Sequence, residues 1–204
     1  MIRLKMPVIA LIATISLVSS AMAQEASKNE VSVQGTGFFT SDTTGNGIAQ
    51  HTTDSGGLLV SYRYHLNRFL AADGSYGYTR NTFQNLAPGG AFNVQSNVHQ
   101  VTGALVLTSP WKFGLFKPFA LAGSGVLNFD PTGNPAGPVI GAVGQTKGVF
   151  LYGAGADLDL NKRFAFRLEY RGLVYDRPDF GLGALNSGRT THTAQPSAGF
   201  VIRF

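Results

Sequence analysis

Residues Gly148 to Tyr175 read GVFLYGAGADLDLNKRFAFRLEYRGLVY, two alternating runs around a short polar break at Asn161-Lys162-Arg163. The even positions Phe150, Tyr152, Ala154, Leu158, Phe164, Phe166, Leu168 and Tyr170 are apolar, and the odd positions carry Asp157, Asp159, Arg167, Glu169 and Arg171. A period of two over this length predicts β-strands with two unlike faces. A three-residue hairpin loop at 161–163 sets Leu160 opposite Phe164. That register pairs Asp157 with Arg167, Gly155 with Glu169, Gly153 with Arg171 and Tyr152 with Gly172. One face is apolar, and the other is a ladder of opposite charges relieved by glycines.

Alternation alone leaves two readings open, because a soluble barrel with an apolar lumen and a membrane barrel with an apolar wall share the pattern turned inside out. Outside this stretch, Met1 to Ala23 reads as a cleaved secretory signal. Arg3 and Lys5 form its charged start, Val8 to Val18 its apolar middle and Ala21-Met22-Ala23 its small-residue end. Residues 24–204 are then expected to form one domain. No later run approaches the roughly 18 to 20 apolar residues of a spanning helix, so any membrane crossing is expected to be made by strands. The chain has no cysteine, which excludes disulfides, thiol catalysis and Cys-ligated metals. Without Arg3 and Lys5, 14 basic residues face 11 acidic ones, an excess too small and scattered for nucleic-acid binding.

Eight strands are expected in all. Their wall-side residues are Val31, Val33 and Phe39 in the first, Leu58, Val60, Tyr62 and Tyr64 in the second, and Leu70, Tyr76 and Tyr78 in the third. The fourth contributes Val101, Leu105 and Leu107, and the fifth Phe119, Leu121, Gly123, Gly125, Leu127 and Phe129. Strands six and seven are the quoted hairpin, and Thr193 to Phe204 is the eighth. Four long polar connections, 41–55, 80–96, 130–147 and 176–191, follow the odd-numbered strands, and short ones follow the even-numbered strands. Aromatics such as Phe39, Tyr62, Tyr78, Trp111, Phe119, Phe129, Phe150, Phe164, Tyr175 and Phe204 fall near strand ends, as two interfacial girdles require.

The run Tyr152-Gly153-Ala154-Gly155-Ala156-Asp157, then Lys162-Arg163 and Arg167-Leu168-Glu169-Tyr170-Arg171, is preceded by Lys117-Pro118-Phe119 and Gly123-Ser124-Gly125. With the closing Arg203-Phe204 it resembles the OmpA/OmpX and opacity-protein type of eight-stranded outer-membrane barrel. The resemblance implies an all-β, antiparallel, up-and-down transmembrane barrel in a Gram-negative-type outer membrane. It also implies Phe200, Ile202 and Phe204 as the signal read by the barrel-assembly machinery, and outer-membrane lipid and lipopolysaccharide as surroundings. No periplasmic domain of the OmpA kind is expected after Phe204.

With the apolar face outward, Arg63, Arg167, Arg171 and Arg203 share the lumen with Glu30, Asp73, Asp157, Asp159 and Glu169. This near-balance is what a closed interior demands. The network is expected to be structural, with no catalytic, cofactor or metal residues. Barrel enzymes that act on lipid A use a His-x-Ser pair, whereas here Thr53, Asn67, Val101 and Ala194 stand two residues after His51, His65, His99 and His192. The Gly-x-Gly pairs lack the third glycine and the helix of a phosphate loop. Function is expected in the four long connections, as structural anchoring or contact with an extracellular ligand. A narrow gated channel, a lipid A enzyme and a soluble lipocalin-like carrier are the alternatives.

Overall fold

The computed structural model describes residues 28–45, 48–87, 90–111, 114–132, 143–181 and 188–204. The expected signal, 1–23, lies outside them. The strands are β1 (Asn29–Thr40), β2 (Thr43–Gly45), β3 (Ile48–Thr52), β4 (Ser55–His65), β5 (Leu70–Ala87), β6 (Gly90–Thr108), β7 (Phe116–Thr132), β8 (Gln145–Asp159), β9 (Phe164–Asp176) and β10 (Thr190–Arg203). Eight of them, β1 and β4 to β10, form an antiparallel meander that β1 closes against β10 through Glu30↔Arg203 to Thr40↔Thr193. Closure removes every edge from the barrel wall, which is why a sheet of this kind can stand in hydrocarbon.

The β8–β9 register is Asp157↔Arg167, Gly155↔Glu169, Gly153↔Arg171 and Tyr152↔Gly172. It is pinned by the turn, where Asn161 Oδ1 accepts from the amides of Arg163 and Phe164, both at 2.8 Å. The turn after β4 repeats this chemistry, with Asn67 Oδ1 accepting from Phe69 and Leu70 at 2.8 and 2.9 Å. An Asn side chain that replaces a backbone acceptor fixes a tight turn locally.

Outward-facing residues are apolar along most strands: Leu58, Tyr62, Leu105, Leu107, Phe150, Leu168, Phe200 and Ile202 are all exposed. Phe166 also faces outward, its ring edge-on to Phe200 with centroids 5.5 Å apart. Inward, Arg63, Arg167 and Arg171 are at most 1% exposed.

The fifth barrel strand, β7, departs from the expectation. Phe119, Leu121, Leu127 and Phe129 are buried in the lumen, and Ala120, Ala122, Ser124, Val126 and Asn128 face outward. The register is set by neighbours: Thr108↔Phe119 on β6 and Lys117↔Asp157 on β8 put the odd positions inside. A lumen must be filled to interior density, while lipid accepts small residues, so the bulky face turns inward. Phe119, Phe129 and Tyr175 therefore do not belong to an aromatic girdle.

The connections also differ from their expected extents. Most of 80–96 is strand, since β5 and β6 stay paired up to Ala87↔Gly90. Within 41–55, β3 adds to β5 through Ala49↔Leu86 to Thr52↔Phe83, and β2 adds to β3. In the sequence these segments mix Asn, Gln, Thr and Gly with few apolar residues, so alternation gave no strand signal there. In the other two connections the strands extend to Thr132, start again at Gln145, end at Asp176 and resume at Thr190; residues 133–142 and 182–187 lie outside the described residues.

Candidate functional site

The lumen is layered from the end with the short turns to the end with the long connections. At the short-turn end Arg167 holds Asp157 with two bonds, Nε–Oδ1 at 2.6 Å and Nη2–Oδ2 at 2.8 Å, and reaches Glu30 at 2.8 Å. Two parallel N–H donors match the two oxygens of one carboxylate, the strongest ion-pair geometry proteins use. Arg203 joins Glu30 at 2.8 Å, Asp157 at 3.2 Å and Asp159 at 2.5 Å. His65 completes the group, its Nε2 standing 3.1 Å from Glu30.

One step further in, Arg63 meets Asp73 at 3.1 Å and stands 3.8 Å from Glu169. Arg171 binds Glu169, donates to Ser75 Oγ at 2.6 Å and reaches Asp73 at 3.4 Å. The two groups flank the ring of Phe119, with the Arg63 and Arg167 guanidinium carbons 4.5 and 5.1 Å from its centroid. A buried ring face attracts a desolvated cation. Gly155 makes room for that ring: a methyl there would meet Phe119 Cζ at 2.5 Å.

The network residues Glu30, Arg63, Asp73, Asp157, Asp159, Arg167, Glu169, Arg171 and Arg203 thus all face one interior and lie in two ion-paired groups. Sequence reasoning passed over His65 as a member, although it shares the face of Arg63 two residues away. It also passed over Phe119, which was assigned to the opposite face.

A polar belt follows. Gln195 donates to Gln100 at 3.0 Å, Gln34 bridges Ser32 and Ser197 at 3.0 Å each, and Ser75 meets Thr102 at 2.7 Å. Beyond it the lumen turns apolar, with Phe38, Leu127, Phe129, Val149, Leu151, Leu173 and Tyr175 buried. The Tyr175 hydroxyl is satisfied by Thr193 at 3.0 Å, and Thr193 in turn meets Thr40 at 2.8 Å.

A segment between β9 and β10 crosses this end. Arg177 is buried and donates to the Ser41 carbonyl at 3.1 Å and to Thr52 Oγ1 at 2.8 Å. Its burial holds the guanidinium pKa below the ordinary value, with Tyr175 and Asp42 opposing the shift. Asp179 accepts from Gln145 Nε2 at 2.5 Å while its own amide donates to Gln145 Oε1 at 3.1 Å. Partial burial pushes the Asp179 carboxyl up. The bonds from Gln145 and the Gly181 amide outweigh it and hold the group below the usual aspartate range.

On the outer surface Phe200 and Ile202 of β10 are exposed and Phe204 is half-buried. Tyr152 lies across Gly172, where a methyl would meet its ring at 2.5 Å, and bonds His192 at 3.0 Å. Tyr76 pairs likewise with His99 at 2.7 Å. Two of the four histidines therefore sit beside tyrosines on the outer wall, His51 bonds Asp42 at 2.5 Å in the first long connection, and His65 serves the lumen.

The family model for the outer membrane protein beta-barrel domain matches residues 9–204. Among solved structures, the outer membrane protein OprG of Pseudomonas aeruginosa is similar at 12% identity and TM-score 0.64, over 89% of this chain and 98% of that one. Neisserial surface protein A is similar at 16% and TM-score 0.59, over 89% and 100%. The attachment invasion locus protein Ail of Yersinia pestis, solved with the heparin analogue sucrose octasulfate, is similar at 18% and TM-score 0.50, over 87% and 99%. No curated protein matches the sequence. The model that spans nearly the whole chain and the eight-stranded antiparallel closure agree: the chain belongs to the outer membrane protein beta-barrel domain family.

Proposed function

We propose that the chain is a non-enzymatic outer-membrane anchor that displays a rigid β-sheet outside the cell, its lumen sealed by its own side chains. The short turns face the periplasm and the long connections the exterior. The observation that carries this reading is the length of β5 and β6, 18 and 19 residues, where about 9 to 11 suffice to span. From Phe83 to Ala87 the hairpin runs roughly 16 Å beyond its last pairing with β7, at Gln95↔Thr132, at about 3.3 Å per residue. Strands β3 and β2 pair beside it, so the sequence builds a small sheet where a loose connection would have served.

Outer-membrane lipid and lipopolysaccharide are the proposed surroundings of the apolar wall. Phe200, Ile202 and Phe204 are the proposed assembly signal. A polyanion like that in the Ail complex is not extended to this chain. The described residues at the long-connection end include Asp42, Asp54, Asp130 and Asp176 against Arg80, Lys147 and Arg189, which disfavours a sulfated ligand.

Replacement of 81–96 by a two-residue turn tests the reading. Heat-modifiable migration should persist while adhesion of expressing cells to an epithelial monolayer falls; unchanged adhesion would count against the display role. In a planar bilayer the intact barrel should show no steady conductance.

A further inference from the structure

We propose that the short-turn rim of the barrel selects anionic phospholipid. Arg68 in one turn, and Lys162 with Arg163 in another, each hold the phosphodiester of a lipid whose headgroup carries no ammonium of its own, such as phosphatidylglycerol.

The two turns are built to one plan. Leu66-Asn67-Arg68-Phe69 joins β4 to β5, and Leu160-Asn161-Lys162-Arg163-Phe164 joins β8 to β9. In the first, the amides of Leu66 and Asn67 donate to the Leu70 carbonyl at 2.9 and 3.1 Å; in the second, those of Leu160 and Asn161 donate to the Phe164 carbonyl, both at 3.0 Å. Together with the Asn side-chain bonds, this leaves an exposed Leu and an exposed Phe on either side of an exposed cationic tip. In strand order the two turns stand four strands apart on the closed barrel, on opposite sides of it.

Charge is divided unequally between the two ends. At the short-turn end Glu30, Asp157 and Asp159 turn into the lumen and are held by Arg167 and Arg203. Among the described residues no exposed Asp or Glu side chain therefore shares this end with Arg68, Lys162 and Arg163. At the long-connection end Asp42, Asp54, Asp130 and Asp176 are all exposed.

The apolar flanks decide which anion is met. Leu and Phe beside a cation suit the level where hydrocarbon gives way to headgroups, and they hold the charge at the phosphates; a water-borne acidic partner would leave them bare. Arg68 fits that placement, its guanidinium carbon lying 4.5 Å over the exposed Phe69 ring. A choline or ethanolamine headgroup answers its phosphate with its own ammonium, whereas a glycerol headgroup leaves the phosphate to the protein. An anionic surface attracts each basic side chain held near it.

The inference rests on the lipid-facing wall and, for the leaflet, on the orientation proposed above, which puts the bound lipid on the periplasmic side. Trp111 is the one tryptophan of the chain, so Trp111→Phe clears the background, and Phe69→Trp or Phe164→Trp then reports the lipid at either turn. Each barrel is reconstituted in vesicles of phosphatidylcholine and phosphatidylglycerol in which one or the other lipid carries brominated acyl chains. Heat-modifiable migration is the check that each variant folds.

At both reporters, quenching should favour phosphatidylglycerol by at least about threefold, and the preference should fall as salt is raised. Arg68→Gln should bring the ratio near unity at Phe69→Trp and leave it unchanged at Phe164→Trp; Lys162→Gln with Arg163→Gln should do the reverse. Equal quenching by the two lipids at both reporters, or a preference that survives both neutralisations, overturns the proposal. With equal quenching, a shift of reporter emission on adding polyglutamate would assign the rim to an acidic soluble partner instead. No quenching by either lipid in a folded barrel would overturn the lipid-facing wall along with the inference. The vesicles carry both lipids in both leaflets, so these results do not depend on orientation. On cells, Lys162→Cys should react with a membrane-impermeant maleimide only after the outer membrane is permeabilised; reaction on intact cells overturns the periplasmic assignment.

Discussion

The two halves of the lumen are filled by opposite means. Near the short turns the space between strands is occupied by four guanidiniums, five carboxylates and His65, each aimed at a particular partner. Near the long connections it is occupied by Phe38, Leu127, Phe129, Leu151 and Leu173, which need only volume. Directional contacts fix the position of every strand that supplies them, so the ionic half sets the register of β1, β4, β5, β8, β9 and β10. Apolar contacts tolerate displacement of one member, so the other half ties the strands around it less strictly.

The contrast can be broken by mutation. The largest effect is expected for Arg167→Ala, which strips Asp157 and Glu30 of the more deeply buried of the two guanidiniums they share. Breaking one side of a buried ion pair should lower stability by about 3 to 5 kcal/mol in urea unfolding from detergent or liposomes. Arg167→Met, tested alone, should recover little, because the carboxylates stay. Leu151→Ala leaves a cavity in the apolar half and should cost about 2 to 4 kcal/mol while every ionic contact survives. Recovery of most of the loss in Arg167→Met, which restores volume without charge, would mean that the ionic half works by filling space.

A finer test separates volume from charge within one residue. Phe119→Leu keeps an apolar side chain but removes the ring face between Arg63 and Arg167, with an expected loss of about 1 to 2 kcal/mol by the same measurement. The smallest effect concerns pH. Asp179 has a depressed carboxyl in the folded barrel, so its clasp contributes fully above the ordinary aspartate value of about 3.9 and is lost only as pH falls beneath that. The Gly181 amide resonance should titrate with a midpoint on the acid side of that value, and one near pH 5 would contradict the clasp.

The ionic half was far more legible in the sequence than the apolar half, for a local reason. Asn161-Lys162-Arg163 is short enough to pin β8 against β9, so the partners Asp157–Arg167 and Tyr152–Gly172 follow from counting. Strand β7 is joined to β8 by a long connection and to β6 through 109–115, so counting carries no register across either. With Phe and Leu alternating against Ala and Ser, both faces of β7 look compatible with lipid, and only the neighbours decide. The upper part of β5 and β6 was illegible for the opposite reason. Once a strand leaves the bilayer its outer face need not be apolar, and Arg80-Asn81-Thr82 reads like a turn. His65 escaped because a lone histidine on a strand says nothing until Glu30 is found on the strand beside it.

The seam between β1 and β10 has a consequence for how such a barrel can be made. Glu30 and Arg203 stand at opposite ends of the folded chain, yet they lie side by side and share an ion pair. Until the last strand arrives, Glu30, Asp157 and Asp159 outnumber the guanidiniums available to them, and the first and last strands each expose a bare ladder edge. Closure therefore delivers a missing counter-charge and erases both edges in one event, so a half-translocated chain has no partially zipped state worth keeping.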